Sequence, residues 1–450
     1  MTPVPHERRK LHGWGRTAGS VADVAAPNST DELAALVAEA GKRGVIARGL
    51  GRSYGDLAQN AGGAVIDMRG VSRLLEFDRE RGVVTVEAGC SLDALIDAVL
   101  PHGWFLPVTP GTSSVTVGGA IACDVHGKNH HVDGAFARHV HSFELLTPEG
   151  ETITVDPDAQ RELFEATAGG LGLTGIVTRC TLQLLPVQTA AMVVETERAA
   201  NLDDLLAQLT DTDHLYRYSV AWVDGRTSGA ALGRSQLLRG NHATPDDLPS
   251  GSSLLDRSRG RRISVPQHIS VAPFLRGRAL NAFNEYRYRR THDGRSIETV
   301  DQFFYPLDAL ADWNRLYGRR GFLQYQFLVP FGAEDTVRTV LASFVTARPV
   351  LIVFKQFGES FGPLGFPAPG WTMTLDVAAS LPGLARLLDE ADELVASAGG
   401  RVYLAKDSRL RPELLPRMYP RLDEWRKVQS TIDPEGRMQH DLARRLQLVR

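Results

Sequence analysis

Residues 110–131 read PGTSSVTVGGAIACDVHGKNHH, a run that opens on a Pro-Gly turn, passes through small and β-branched residues to Gly118-Gly119, and closes on polar tips. Those tips are Asp124, His126, Lys128, Asn129, His130 and His131. Few of its side chains are large and apolar, so the stretch is expected to contribute little to a core. It offers free backbone amides and a close-approach surface at the glycine pair, which suits a large anionic ligand lying along the main chain. A Gly-rich loop ending in a surface histidine cluster fits the same residues.

Outward from this stretch, strand-like and helical runs alternate closely. Ser29 or Thr30 caps a helical pattern that ends at Gly41 and Gly44, and VIARG (45–49) is a short buried strand leading into GLGRSYGD. AVIDM (64–68), LLEFD (74–78) and VVTVEAG (83–89) follow as strands, then a helix capped by Ser91 with Gly103 beyond its end. After residue 131 come a hairpin turning at Pro148-Glu149-Gly150, a short helix, and a long strand over 176–186. From about residue 190 amphipathic helices interleave with strands such as FLQYQFLVP (322–330) and LIVFKQFG (351–358). The fold class expected is α+β. Residues 225–265, rich in Gly, Ser and Arg with Arg257, Arg259, Arg261 and Arg262 close together, read as a mobile, solvated loop. A contact for phosphate or an anionic membrane surface is the sharper reading of those arginines.

A chain of 450 residues exceeds one ordinary core, and a net charge of −3 leaves no electrostatic footprint for nucleic acid. Cys90, Cys123 and Cys180 are too few and too scattered for a disulfide framework, so a reduced intracellular setting is expected. The basic N-terminal residues precede no apolar stretch, and no run approaches the length of a membrane span. A cytoplasmic protein with peripheral membrane contact is therefore expected, the periplasmic face staying open.

Among the motifs, Gly170-x-Gly172-x-x-Gly175 has dinucleotide-fingerprint spacing but follows a helix and precedes a strand, the reverse of what that fingerprint needs. The turn Arg48–Asp56 does follow a strand, and its glycines leave amides free to face phosphate. His126, His130, His131, His139 and His141 lack an HExxH frame and a dependable helix, so no metal site is expected. No GxSxG is present, and Cys123 reads as a small buried residue beside a ligand. Lys355 and Lys406 are flanked by apolar strand residues. Each either snorkels outward or is buried for a task, in which case a depressed pKa makes it a usable acid, base or donor.

Taken together, HGWGRT, ARGLGRSYGD, TVGGAIACD, HGKNHH, GGLGLTGIV, GFLQYQF, FPAPGW, AKDSR and MYPR occur in an order that resembles the vanillyl-alcohol-oxidase-type flavoproteins. Within that family the pattern is most similar to the decaprenylphosphoryl-ribose-oxidising branch. The resemblance spans nearly the whole chain and is weakest over 225–300. It implies a two-domain flavoprotein: an FAD-binding PCMH-like domain at 1–188, a substrate domain with an antiparallel sheet at 189–398, and a C-terminal segment, 399–450, returning to the first.

By residue, the resemblance puts Ala47, Arg48, Gly49, Leu50, Gly51, Arg52, Ser53, Tyr54, Gly55, Asp56 and Leu57 around the FAD pyrophosphate. It puts Gly111, Thr116, Val117, Gly118, Gly119, Cys123, Asp124, Val125 and His126 along the flavin and its ribityl chain, completed by Ile176 and Tyr403. The implied reaction is oxidation of the 2-hydroxyl of a polyprenyl-phosphate-linked ribofuranose to the 2-keto sugar by hydride transfer to flavin N5. A short-chain reductase partner then completes epimerisation to the arabinose lipid of the actinobacterial cell wall. Lys406 and Tyr54 take the catalytic roles. His126, Lys128, Trp222, Gln324, Gln326, Lys355, Thr372, Thr374 and Lys406 take the substrate.

The chain departs from that pattern in places. Arg52 stands where many relatives attach flavin through a histidine, so non-covalent FAD is expected. Thr372 and Thr374 replace an Asn and a Cys of mycobacterial members, Phe304 a pocket Tyr, and Val220 a pocket Ser. These put the sugar or lipid in doubt more than the cofactor, and keep an alditol or aldonolactone oxidase on the same fold as the second reading. A flavin-binding scaffold without turnover is the third.

Overall fold

The computed structural model describes residues 4–260, 263–265, 278–291 and 293–449; Arg261 and Arg262 of the basic cluster lie outside these. The first sheet runs in the order His6–His12, Gly19–Ala25, Ala64–Asp67, Val45–Arg48, with the first pair antiparallel and the others parallel. Its inner strands are short and apolar because both faces are covered: Val45, Ile46, Val65 and Ile66 are all buried. The helix Thr30–Ala38 packs Leu33, Leu36 and Val37 inward and starts where Ser29 accepts a hydrogen bond from the Glu32 amide.

A second, antiparallel sheet orders Leu74–Asp78, Val83–Glu87, Ile176–Gln183, Val140–Leu146 and Thr152–Val155. The last two form the expected hairpin, with Gly150 at φ 92°. The helix Leu92–Val99 is capped by Ser91, as expected.

The third sheet has eight strands in the order Gly294–Thr299, Ala191–Ala199, Ser235–His242, Tyr218–Val223, Ile352–Phe357, Gly370–Ala378, Phe322–Pro330 and Arg401–Val402. All of its pairings are antiparallel. Alternation divides its two faces. Tyr325 and Phe327 point into a core shared with Val337, Val340 and Phe344 of the helix Glu334–Phe344 and Leu388 and Val395 of the helix Leu384–Ser397. Gln324 and Gln326 leave the opposite face. The chain end runs back along the first sheet: the Val45 amide donates to Arg437 O, the Gln439 amide to Val45 O, and Arg445 pairs with Asp56 and Asp407.

Two expectations are corrected. Residues 110–131 do supply core, because Val117–Ala122 is a helix capped by Thr116 whose Val117, Ala120 and Ile121 are fully buried. Small size, which argued against a core role, is what lets this helix pack closely. The 225–265 stretch is not a loop throughout, since Ser235–His242 is an inner strand. Its Arg239 looked solvated in sequence but is buried, with its guanidinium on Glu197 and over the Tyr216 ring.

The side chain of Arg257 in the same stretch is also mostly covered. It pairs with Asp93, Asp97 and Asp301 at 2.7–2.9 Å, tying the segment to the helix Leu92–Val99 and to the helix Val300–Phe304. Removing this cation strips Asp301 of its arginine and leaves Asp93 and Asp97 to Arg259 alone. Arg257→Ala is therefore expected to lower unfolding free energy by about 2 kcal/mol, below the usual range for a wholly buried pair because Asp97 reaches solvent. Urea denaturation measures this, and an unchanged midpoint contradicts it.

Candidate active site

Between the first two sheets and the polar face of the third lies a cleft of about 450 Å³, a normal size for a site that encloses much of a ligand. One wall is the turn after Val45–Arg48. Arg48 braces it from behind by donating to Ala58 O and His12 O, while Gly49, Gly51, Ser53 and Tyr54 face the cleft. The second wall is the segment around the helix Val117–Ala122. The two walls touch, since a Cβ on Gly49 would lie 2.2 Å from Thr116 Oγ1, and the second wall packs as closely on the second sheet, where a Cβ on Gly118 would lie 2.9 Å from Ala88 Cβ. Glycine is thus required for close approach at both points. Gly172, Gly175 and Ile176 complete this end. The glycines of 170–175 do sit between a helix and a strand, as the sequence indicated, yet two of them line the cleft.

The other end is polar. Gln324, Gln326, Lys355 and Thr374 come from the eight-stranded sheet, with His126, Tyr403 and Lys406 beside them. Burial lowers Lys355 to about 7, helped by the neighbouring charges of Lys406 and Lys128. Burial also lowers Lys406, opposed by the carboxylate of Asp376, and raises that carboxylate in turn. Tyr54 is raised by burial and so stays a phenol. The Tyr54 amide donates to Ala405 O at 3.0 Å, and Lys406 Nζ stands 5.5 Å from the Tyr54 ring centre. His126 is driven well below its ordinary value by burial and by Lys355 and Lys406, so its ring is neutral.

Of the residues expected at the cofactor, Ala47, Gly49, Leu50, Gly51, Arg52, Ser53, Tyr54, Leu57, Gly111, Thr116, Gly118, Gly119, Cys123, Val125, His126, Ile176 and Tyr403 line the cleft. The other five lie behind its wall. Arg48 is the brace just described, and Asp56 is held by Arg445. Gly55 packs so tightly on Asp407 that a Cβ would meet its carbonyl oxygen at 1.9 Å. Val117 is core, and Asp124 is buried facing the Ala137 amide, its carboxyl raised to about 7 by burial.

Of the residues expected at the substrate, His126, Gln324, Gln326, Lys355, Thr374 and Lys406 line the cleft, whereas Lys128, Trp222 and Thr372 do not. Lys128 donates to Phe303 O and lies over the Phe303 ring. Trp222 is covered by the Arg287 guanidinium at 4.3 Å. Thr372 stands behind Gln326, accepting from its amide at 3.1 Å. Phe304, stacked on Phe105, and Val220 are also off the wall. The histidines each have separate partners: His130 accepts from the Gly358 amide, and His131 and His139 face the carbonyls of Tyr216 and Asp133.

Two important residues were missed. Asp376 is fully buried beside Gln324, and the alternation Thr372-Thr374-Asp376 on one strand face was the signal for it. Asp308 lines the cleft and accepts from Thr112 Oγ1 and the Ser113 amide across more than 190 residues, for which no local signal exists.

The glycine-lined end suits a dinucleotide-sized anionic cofactor, because the turn residues Gly49, Gly51 and Ser53 bring main chain to the cleft wall and Gly49 seats against Thr116 more closely than a Cβ allows. At the polar end, His126 Nδ1, Gln324 Oε1 and Gln326 Oε1 are buried with no protein partner.

Comparison with known proteins agrees. The family described as FAD binding domain matches residues 21–156, and the one described as D-arabinono-1,4-lactone oxidase matches residues 372–446. The chain is 42% identical to decaprenylphosphoryl-beta-D-ribose oxidase of Mycolicibacterium smegmatis, covering 100% of this chain and 99% of that protein. It is 43% identical to an uncharacterised protein of Streptomyces coelicolor over 80% of this chain and 100% of the other. L-gulono-1,4-lactone dehydrogenase of Mycobacterium tuberculosis is 25% identical over 93% of this chain and 94% of its own.

A methyl group at residue 49 must displace the Thr116 hydroxyl that caps the helix Val117–Ala122. Gly49→Ala is therefore expected to weaken FAD binding by about tenfold, equivalent to about 1.4 kcal/mol. Gly41→Ala, with nothing within 4 Å of its Cβ, is expected to leave it unchanged. Fluorescence titration of apoprotein with FAD measures both, and equal affinities contradict the account.

Proposed function

The chain belongs to the decaprenylphosphoryl-β-D-ribose oxidase family of FAD-dependent oxidoreductases, and from that premise we propose that it oxidises the 2-hydroxyl of a polyprenyl-phosphate-linked ribofuranose to the 2-keto sugar. The observation that carries the reading is the pairing of two half-buried lysines and two buried glutamines at one end of a cleft whose other end is glycine-lined. FAD bound at the glycine-lined end would supply the hydride acceptor for the sugar carbon. The chain's own residues hold the substrate and manage its proton.

Burial favours the neutral amine of Lys406, which can then take the hydroxyl proton as the C–H bond breaks. The Tyr54 main-chain amide braces the segment before Lys406 by donating to Ala405 O, and the Tyr54 ring, kept a phenol by burial, has its centre 5.5 Å from Lys406 Nζ. Lys355 donates to Gly127 O at 3.1 Å and retains two further N–H groups for the substrate when protonated. The reading takes 1–188 and 399–450 as the cofactor part and 189–398 as the substrate part. Arg52, whose guanidinium lies 3.9 Å over Trp14 and donates to Ser114 O, replaces an attaching histidine, which supports non-covalent FAD.

A separate reductase returning the ketone with inverted stereochemistry would complete the epimerisation. Peripheral contact with the lipid's membrane belongs to the same proposal. No described helix is long and apolar enough to cross a membrane.

Anaerobic mixing with decaprenylphosphoryl-β-D-ribose is expected to bleach the flavin, while L-gulono-1,4-lactone is not. The reverse result establishes the lactone oxidase reading. Lys406→Met is expected to slow bleaching by at least about 100-fold while retaining FAD. Unaltered bleaching removes the catalytic role. Acid precipitation is expected to leave all yellow colour in the supernatant; colour in the pellet contradicts non-covalent binding.

A further inference from the structure

Gln324 and Gln326 stand two residues apart on Phe322–Pro330, so both side chains leave the same sheet face, and both line the cleft. The hydrogen-bond partners behind them decide which end of each amide faces forward. Gln324 Nε2 lies 2.5 Å from Oδ1 of Asp376, its register partner on the neighbouring strand, while Tyr317 OH donates to Oδ2 of the same carboxylate at 3.3 Å. An ionised carboxylate only accepts, so the nitrogen of Gln324 faces Asp376 and its oxygen faces away.

Gln326 is fixed by a longer chain of reasoning. The Thr372 hydroxyl gives its single hydrogen to Phe327 O at 2.8 Å, which leaves it only lone pairs for its other neighbour. The Gln326 atom 3.1 Å away must therefore be the amide nitrogen. That same nitrogen lies 3.1 Å from His126 Nε2. The nitrogen can only donate, so Nε2 must accept, and the ring proton of His126 belongs on Nδ1. Three buried atoms are left without protein partners: the acceptors Gln324 Oε1 and Gln326 Oε1, and the donor His126 Nδ1–H. Unpaired buried polar atoms are costly, and three on one cleft wall call for a ligand that pairs them.

We propose that this wall presents a fixed pattern of two acceptors and one donor, with Thr372 as the positioning residue that sets the His126 tautomer through Gln326. The matching ligand brings two hydroxyl hydrogens and one acceptor atom, the chemistry of a sugar ring with at least two free hydroxyls. Asp376 positions Gln324 in the same way. The ligand part rests on the function proposed above; the tautomer part does not. The departure at Thr372, which lies behind the wall, thereby acquires a role at its surface.

The test is long-range ¹H–¹⁵N NMR of the FAD-loaded protein labelled in histidine, with His126 assigned by its loss in His126→Gln. The expected wild-type state is protonated Nδ1, retained in Thr372→Ser. In Thr372→Val the hydroxyl lone pairs are gone, Gln326 is free to turn, and a mixture of tautomers is expected. Gln326→Glu, which can only accept from His126, is expected to move the proton to Nε2 and stands in should Thr372→Val fail to fold. Protonated Nε2 in the wild type, or an unchanged tautomer in both variants, overturns the proposal.

A substrate arm separates the ligand. With decaprenylphosphoryl-β-D-ribose, Thr372→Val is expected to raise KM about tenfold with a smaller change in kcat, and the 3-deoxy analogue is expected to show a similar KM rise with the wild type. A KM unmoved by either change overturns the assignment of the acceptors to sugar hydroxyls. Failure of every sugar to bleach the flavin, with the tautomer as expected, sinks the proposed function and leaves the hydrogen-bond relay standing.

Discussion

Everything at this site depends on burying polar groups on one face of a sheet whose other face is apolar core. Strand alternation makes that possible: Tyr325 and Phe327 serve the helices behind, while Gln324 and Gln326 serve the cleft. Once Asp376 and His126 are buried and Lys355 and Lys406 half-buried, each needs charge or hydrogen-bond compensation, and the arrangement of the remaining residues follows from that demand. Lys406 and Asp376 moderate one another, Lys355 is lowered further by Lys406, His126 becomes neutral, and the amides are turned by what stands behind them. The opposite end solves another problem, bringing main chain to the cleft wall, where Gly49 seats against Thr116 more closely than a Cβ would allow.

The two ends are held in register by contacts remote in sequence. Arg445, at the chain end, clamps Asp56 beside the glycine turn to Asp407 beside Lys406. Asp308 joins the cleft mouth to Thr112 and Ser113, whose hydroxyl also reaches Asp93, one of the carboxylates gathered by Arg257. Two cleft walls drawn from distant segments are thus tied by two separate sets of polar contacts. That explains why a basic segment that reads as solvated is instead packed.

Much of this was legible in the sequence, and the misses have physical causes. Short apolar runs bounded by glycine marked most strands of the first two sheets but not His6–His12, and Ser29 and Ser91 ahead of periodic leucines marked two helices. The Gly-rich turn and the 110–131 stretch were recognisable as cleft-forming because glycines and free amides suit a close anionic ligand. Which of their residues face the cleft was not, since Arg48, Asp56 and Asp124 turn away to partners no local pattern reveals. Ser235–His242 was hidden by Arg239, whose compensation by Glu197 is a cross-strand fact. Asp376 was within reach, because a carboxylate in phase with Thr372 and Thr374 on an inner strand needs a reason to be there.

The central claim is that the cleft delivers carbon 2 of a lipid-linked ribose to the oxidising cofactor. The most direct measurement is the rate of anaerobic flavin bleaching with decaprenylphosphoryl-β-D-ribose carrying deuterium at single ring positions. Deuterium at C2 is expected to slow bleaching by a primary isotope effect, and deuterium at C3 is expected to leave the rate unchanged. A primary effect at C3, or none at either position while bleaching proceeds, contradicts the account.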